Sequence, residues 1–160
     1  MDIKGETTEL KHDYEFMRIV DGPREVMFKA WTDPKHVAQW WGPTGFTNPV
    51  CELDARSGGA IRIHMRGPDG IVYPMSGVYK EVVQPGRLVF TSVALDDTGE
   101  PLFENLNTVI FEEQNGKTQL KLHVRVIKST VYAAPYLKGM KEGWTLTLER
   151  FEKYLSKMKV

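Results

Sequence analysis

Ala30-Trp31-Thr32-Asp33-Pro34-Lys35-His36-Val37-Ala38-Gln39-Trp40-Trp41-Gly42-Pro43 places three of the chain's four tryptophans within eleven residues, around a helix-start signal. Asp33 can accept hydrogen bonds from the free N–H groups of the turn that follows it. Pro34 sits where a missing N–H costs nothing. Gly42-Pro43 stops the helix after two or three turns, so it is predicted from Pro34 to about Trp41. A helix this short cannot bury its own aromatic surface and must close over a core or a cavity. Trp31 falls on an apolar stripe with Val26, Met27 and Ala30, which predicts a preceding helix started by Gly22-Pro23. Adjacent helical residues point about 100° apart, so Trp40 and Trp41 cannot face one direction. One belongs to the core and the other to the surface or a pocket.

On either side of this segment the period is two. Upstream, Tyr14, Phe16, Met17, Ile19 and Val20 give Glu9–Val20 the character of a strand. Downstream, turn residues bound six more, predicted at about 47–54, 60–66, 71–83, 87–95, 104–113 and 117–127. Ile61, Ile63 and Met65 alternate with Arg62, His64 and Arg66. Leu120, Leu122, Val124 and Val126 alternate with Lys121, His123 and Arg125. Gly67-Pro68-Asp69-Gly70 reads as a tight turn, and Asn115-Gly116 as a two-residue hairpin loop. Ser129 or Thr130 is placed to cap a long final helix, whose stripe of Met140, Trp144, Leu148, Phe151 and Leu155 advances by threes and fours. Gly139 and Gly143 fall inside it, each disfavoured by about 1 kcal/mol relative to alanine. They mark a bend or a close approach to the backbone.

The fold class is therefore α+β. A seven-stranded antiparallel sheet curls around a long C-terminal helix, with two short helices after the first strand. One face of such a sheet can meet water, and a strongly curved sheet leaves a cavity beside the helix it grips.

Bulk composition fits one domain spanning residues 1–160, long enough to bury roughly 70% of its unfolded surface. The 21 basic and 21 acidic side chains cancel, and no basic stripe points to nucleic acid. No stretch approaches the roughly 20 apolar residues that cross a bilayer, so membrane insertion is not expected. Met1–Lys11 has no apolar core for a signal peptide, and Cys51 stands alone, without a disulfide framework. A cytoplasmic location is the expectation.

Several segments together resemble a known family: Gly22-Pro23-Arg24-Glu25-Val26, the tryptophan segment itself, Asp54-Ala55-Arg56-Ser57-Gly58-Gly59, Met65 to Gly70, Gly77 to Glu81 before Pro85-Gly86-Arg87, and Gly143-Trp144. The resemblance runs from Tyr14 to Leu155. It is to the activator of heat-shock protein 90 ATPase homologue-like family, within the START-like (SRPBCC) superfamily. It implies a helix-grip (START/Bet v 1-like) fold. Wider relatives bind lipids, sterols, polyketides or plant hormones, some catalyse cyclisation or hydroxylation, and the eukaryotic activator is a co-chaperone.

Candidate ligand contacts are Trp40 and Trp41 at the mouth, Tyr132, Tyr136, Met140 and Trp144 on the final helix, and Tyr73, Met75 and Phe90 on the opposite wall. Indole and phenol supply apolar area with one polar handle, and a thioether adapts its shape. The histidines His12, His36, His64 and His123 lack metal-ligand spacing, so neither metal nor cofactor is expected. Glu52 and Asp54 share a strand face and are a weak acid/base candidate; Cys51 has no nearby histidine to activate it. Three roles stay open: a carrier of a small hydrophobic or amphipathic molecule, a cyclase- or hydrolase-type enzyme using the same cavity, and a regulatory module with a protein partner or a second copy of itself.

Overall fold

In the computed structural model, which describes residues 12–158, Asp33 caps the second helix as its position predicts, its carboxylate accepting from the Lys35 N–H at 2.9 Å. The elements run β1 (Asp13–Asp21), α1 (Arg24–Thr32), α2 (Pro34–Trp40), β2 (Thr47–Leu53), β3 (Ala60–Arg66) and β4 (Val72–Val83). They continue with β5 (Arg87–Leu95), β6 (Pro101–Gln114), β7 (Lys117–Ser129), a 3₁₀ turn (Val131–Ala133), α3 (Ala134–Lys138) and α4 (Met140–Met158). The fold class read from the sequence is the one observed: a seven-stranded antiparallel sheet with two short helices after β1 and a C-terminal helix.

The sheet order is β1-β7-β6-β5-β4-β3-β2. β1 and β2 are thus opposite edges, and α1–α2 carry the chain from one to the other. Five hairpins then bring it back strand by strand, until Phe16 of β1 lies opposite Leu122 of β7. The last hairpin is the Asn-Gly loop: Asn115 (φ 54°) and Gly116 (φ 80°) both take positive φ, matching the right-handed twist of the strands they join. At Gly77 the backbone of β4 approaches β5 closely. A Cβ there would lie 2.0 Å from the Thr91 carbonyl oxygen, so only glycine lets β4 press this close to β5. Beside it the Val78 N–H turns to the Thr91 hydroxyl at 3.0 Å.

Alternation on the strands delivers one apolar face to the interior. Ile61, Ile63, Leu88, Val109, Phe111 and the β7 set Leu120, Leu122, Val124 and Val126 are all buried. Against them lies the α4 stripe of Met140, Leu148, Phe151 and Leu155, also buried. Trp31, Trp40 and Phe151 form the junction, with ring centroids 4.7 Å apart for the two indoles and 4.8 Å for Trp40 and Phe151. The Trp40 indole N–H donates to the Ala30 carbonyl at 2.9 Å, so this ring is buried with its polar group satisfied. On the outer face Lys121 and Arg125 meet solvent, as do Met17 and Ile19.

Two expectations need correction. The final helix is not continuous from Ser129 or Thr130: the Thr130 hydroxyl donates to the Leu102 carbonyl instead of capping a helix. Pro135 opens the short α3, and Gly139 ends it with φ −95°, ψ 5° before α4 begins at Met140. Proline has no N–H with which to continue a helical ladder from the 3₁₀ turn, and glycine is a poor helix interior, so the four-residue step from Tyr132 to Met140 does not follow one helical face. β6 also starts earlier than expected, at Pro101, because the Asp96 carboxylate organises the preceding turn by accepting from the Thr98 and Glu100 N–H groups at 2.9 Å. Of the strand expected at 9–20, residues 9–11 lie outside the described residues.

Because Trp40 is fully buried at the junction of α1, α2 and α4, Trp40→Ala is expected to lower stability by about 3–5 kcal/mol. Urea unfolding checks this as a fall in midpoint with an unchanged slope.

Candidate functional site

Where α4 begins, the space between helix and sheet is not filled. A pocket of about 730 Å³ opens there. Trp41, Gly42, Pro43 and Phe46 from the segment after α2 form one side. Met65, Tyr73, Met75, Ser92, Phe103 and Asn105 from the sheet form the wall and floor. Tyr136, Met140, Gly143, Trp144 and Thr147 close the helical side, and Asp96 and Asp97 stand at one end. Gly143 contributes by lacking a side chain: a Cβ placed there, or at Gly139, meets nothing within 4 Å. Neither glycine marks close backbone packing.

The mouth is held by α4. A single guanidinium nitrogen of Arg150, Nη1, donates to the carbonyls of Trp41, Gly42 and Pro43 at 3.1, 3.2 and 3.1 Å. It carries two hydrogens, so the three oxygens share them. Asn48 holds the same segment from the other side, its amide donating to the Ala38 and Trp41 carbonyls at 3.0 and 2.9 Å. Burial lowers the Arg150 pKa from its ordinary value. Thus fixed, the Trp41 ring meets Trp144 edge-on at 5.5 Å.

The two neighbouring tryptophans therefore divide their roles. Trp40 ends α2 and points into the core, while Trp41 has left the helix (φ −66°, ψ 133°) and lines the pocket. Of the nine candidate contacts, Trp41, Tyr73, Met75, Tyr136, Met140 and Trp144 come together around it. Trp40, Phe90 and Tyr132 do not. Phe90 is buried against Tyr79 at 6.1 Å, deeper in the core. Tyr132, in the 3₁₀ turn before α3, is 72% exposed. Sequence reasoning missed Phe46, Phe103, Ser92 and Asn105. For Asn105 a signal existed: asparagines at 105 and 107 share the period-two phase of the buried Val109 and Phe111, where a polar residue needs a reason.

Other reactive groups are committed elsewhere. Glu52 pairs with Arg62 at 3.2 Å and Asp54 with Arg56 at 2.9 Å, all well exposed, so the weak acid/base candidate is a pair of surface ion pairs. His123 bonds Asp13 on the outer face. The Asp96 carboxyl is held below the usual carboxylate range, chiefly by the Thr98 hydroxyl and the Glu100 N–H, and serves its turn. Burial, with Glu52 adding to it, pushes the Cys51 thiol up to about 11. Burial likewise raises the Tyr79 phenol, with Cys51 and Asp54 contributing. Among the described residues no group of three or more His, Cys, Asp or Glu side chains could hold a metal ion, and no helix is long and apolar enough to cross a membrane.

A curved sheet gripping a C-terminal helix, with a pocket between them, defines a helix-grip protein. The model of the family "Activator of Hsp90 ATPase homolog 1-like protein" matches residues 21–156, and the chain belongs to that family. The AHSA1 protein from Silicibacter pomeroyi is similar in structure, with 26% identity over 91% of this chain and 99% of that one, and a TM-score of 0.79. A protein from Nitrosomonas europaea shares 23% identity over 94% and 98% of the two chains, TM-score 0.78. One from Arthrobacter aurescens shares 23% over 91% and 87%, TM-score 0.80. Comparison with curated proteins gives no match.

Removing the clamp should loosen the mouth. Arg150→Met is expected to destabilise by about 1–3 kcal/mol, the scale of hydrogen bonds to a charged group, and to raise acrylamide quenching of tryptophan fluorescence as Trp41 gains freedom. Cys51 should resist alkylation: with its pKa raised to about 11, labelling at about pH 8 is expected roughly two orders of magnitude slower than for an ordinary thiol, rising as the pH approaches that value.

Proposed function

We propose that this protein binds a small hydrophobic or amphipathic molecule in the pocket between sheet and α4. The observation that carries the reading is the chemistry of the lining. Six aromatic side chains (Trp41, Phe46, Tyr73, Phe103, Tyr136 and Trp144) and three methionines surround about 730 Å³, and no Lys, Arg, His, Glu or Cys is among the described lining residues. Pockets of this size with mostly apolar walls and a few polar groups suit small organic ligands. The same lining supports carriage over catalysis, because general acid/base chemistry needs a positioned titratable group, and its only two carboxylates among the described lining residues, Asp96 and Asp97, stand together at one end, Asp96 tied to its turn. One hydrophobic core runs through the described residues, which supports reading the chain as a single START-like domain. Cys51, unpaired, supports a cytoplasmic setting, where thiols stay reduced.

A bound ligand stabilises the folded state by mass action, by about 2.7 kcal/mol at a hundredfold excess over Kd. For a chain of this length, thermal melts with a library of apolar and amphipathic compounds should show hits raising Tm by about 5–10 °C. Trp41→Ala should fold and lose those shifts. A library that moves Tm with no compound would sink the reading.

A further inference from the structure

We propose that the pocket selects an uncharged, ring-bearing alcohol or amide, whose polar group is read by the paired side chains of Ser92 and Asn105. This rests on the ligand-binding reading and adds the chemical class of the ligand.

Ser92 on β5 and Asn105 on β6 are direct cross-strand partners, a placement that brings side chains on one face about 5 Å apart. Both line the pocket, and both are more than nine-tenths buried, at 8% and 5% exposure. The β6–β7 register shifts beside Asn105, but the extra residue is Ile127 on β7, and Asn105 keeps the inward phase of Asn107, Val109 and Phe111. The hydrogen bonds of the two residues are incomplete in complementary ways. Ser92 Oγ accepts from the Asn107 amide at 3.0 Å, which leaves the hydroxyl proton free to be donated. The Asn105 amide nitrogen turns to the Met140 sulfur at 3.9 Å, an orientation the carbonyl oxygen could not use. Its Oδ1 is left buried without a partner among the described residues.

A buried acceptor with no donor carries a desolvation cost that a ligand can relieve. One donor beside one acceptor fits a group that offers both in return: a hydroxyl, or a primary amide. A carboxylate or phosphate offers acceptors alone. It would face Asn105 Oδ1 without a proton, would share the pocket with Asp96 and Asp97, and would find no Lys, Arg or His among the described lining residues. A plain hydrocarbon would leave Oδ1 unpaired. Trp41 and Trp144, edge to face at 5.5 Å, offer flat apolar surfaces for a ring system.

Pyrene, pyrenemethanol, pyrenecarboxamide and pyrenecarboxylate test this, titrated at neutral pH and followed by energy transfer from the protein's tryptophans. The alcohol and the amide are expected to bind about tenfold tighter than pyrene, the scale of one hydrogen bond that satisfies a buried group, and the carboxylate weakest of the four. In Asn105→Leu, of similar volume and with the unpaired oxygen removed, pyrene should bind at least as tightly as to the native protein while the alcohol's advantage falls below about threefold. Equal affinity for pyrene and pyrenemethanol, a tightest-binding carboxylate, or an advantage that survives Asn105→Leu overturns the proposal and leaves ligand binding standing. If none of the four binds, this proposal falls, and the thermal melts decide the ligand-binding reading. The native-protein comparison decides even if the variant does not fold.

Discussion

The packing of Phe151 against Trp31 and Trp40 is the contact on which the rest of the structure depends. α4 is amphipathic, and without a partner for Phe151, Leu148 and Leu155 it would have no fixed place on the sheet. The two indoles reach that place from two short helices, neither of which could bury an indole alone. Asp33 matters for the same reason: as the end of α1 and the cap of α2 it sets the angle at which Trp31 and Trp40 converge, 4.7 Å apart. One residue before Phe151, Arg150 fastens the carbonyls of residues 41–43. Core and pocket mouth are thus positioned by adjacent side chains of one helical turn.

That arrangement separates two halves of α4. From Leu148 onward its inward side chains are buried in the core, whereas Met140, Gly143, Trp144 and Thr147 border open space. Dense packing favours stability, and an unfilled region forfeits part of it. The protein keeps the unfilled region at the end where the helix has just restarted after Gly139 and where glycine replaces a side chain at 143. Its floor holds the polar side chains of Ser92 and Asn105 among mostly apolar walls. On the proposed reading such a site distinguishes molecules by shape and by one hydrogen-bonding group, with charge working only as an exclusion.

Much of this was legible in the sequence because it follows from local signals. Period-two alternation in 60–66 and 117–127, the Asn115-Gly116 loop and the Asp33-Pro34 cap each have one stable local solution. The family resemblance, carried by the tryptophan segment and its flanking glycines, agreed with that architecture. What sequence could not resolve was direction at element ends. Trp40 and Trp41 differ by one residue, yet the helix stops between them, and only the Arg150 and Asn48 hydrogen bonds decide where Trp41 goes. Tyr132 looked continuous with Tyr136 and Met140 because a helical repeat was carried through Pro135 and Gly139. Phe90 shares the inward face with the pocket's wall, but lies too deep along its strand to reach it. Asn105 carries a local signal in its shared phase with Val109 and Phe111, but its pairing with Ser92 is a long-range property of the strand register.

The pairing of β1 with β7 has a consequence for how the molecule comes into being. Asp13 lies opposite Arg125, so β1 has no β7 to pair with until about 110 further residues have followed it. At ordinary elongation rates that interval is on the order of ten seconds, far longer than a hairpin needs to form. The meander from β2 to β7 can assemble in sequence while Phe16, Val20 and the indoles of α1 and α2 remain exposed to whatever else the nascent chain meets. Closure of the sheet edge and arrival of Phe151 come last, and nearly together. The strands that make the protein's shape are therefore the earlier product of synthesis, and its grip is the later one.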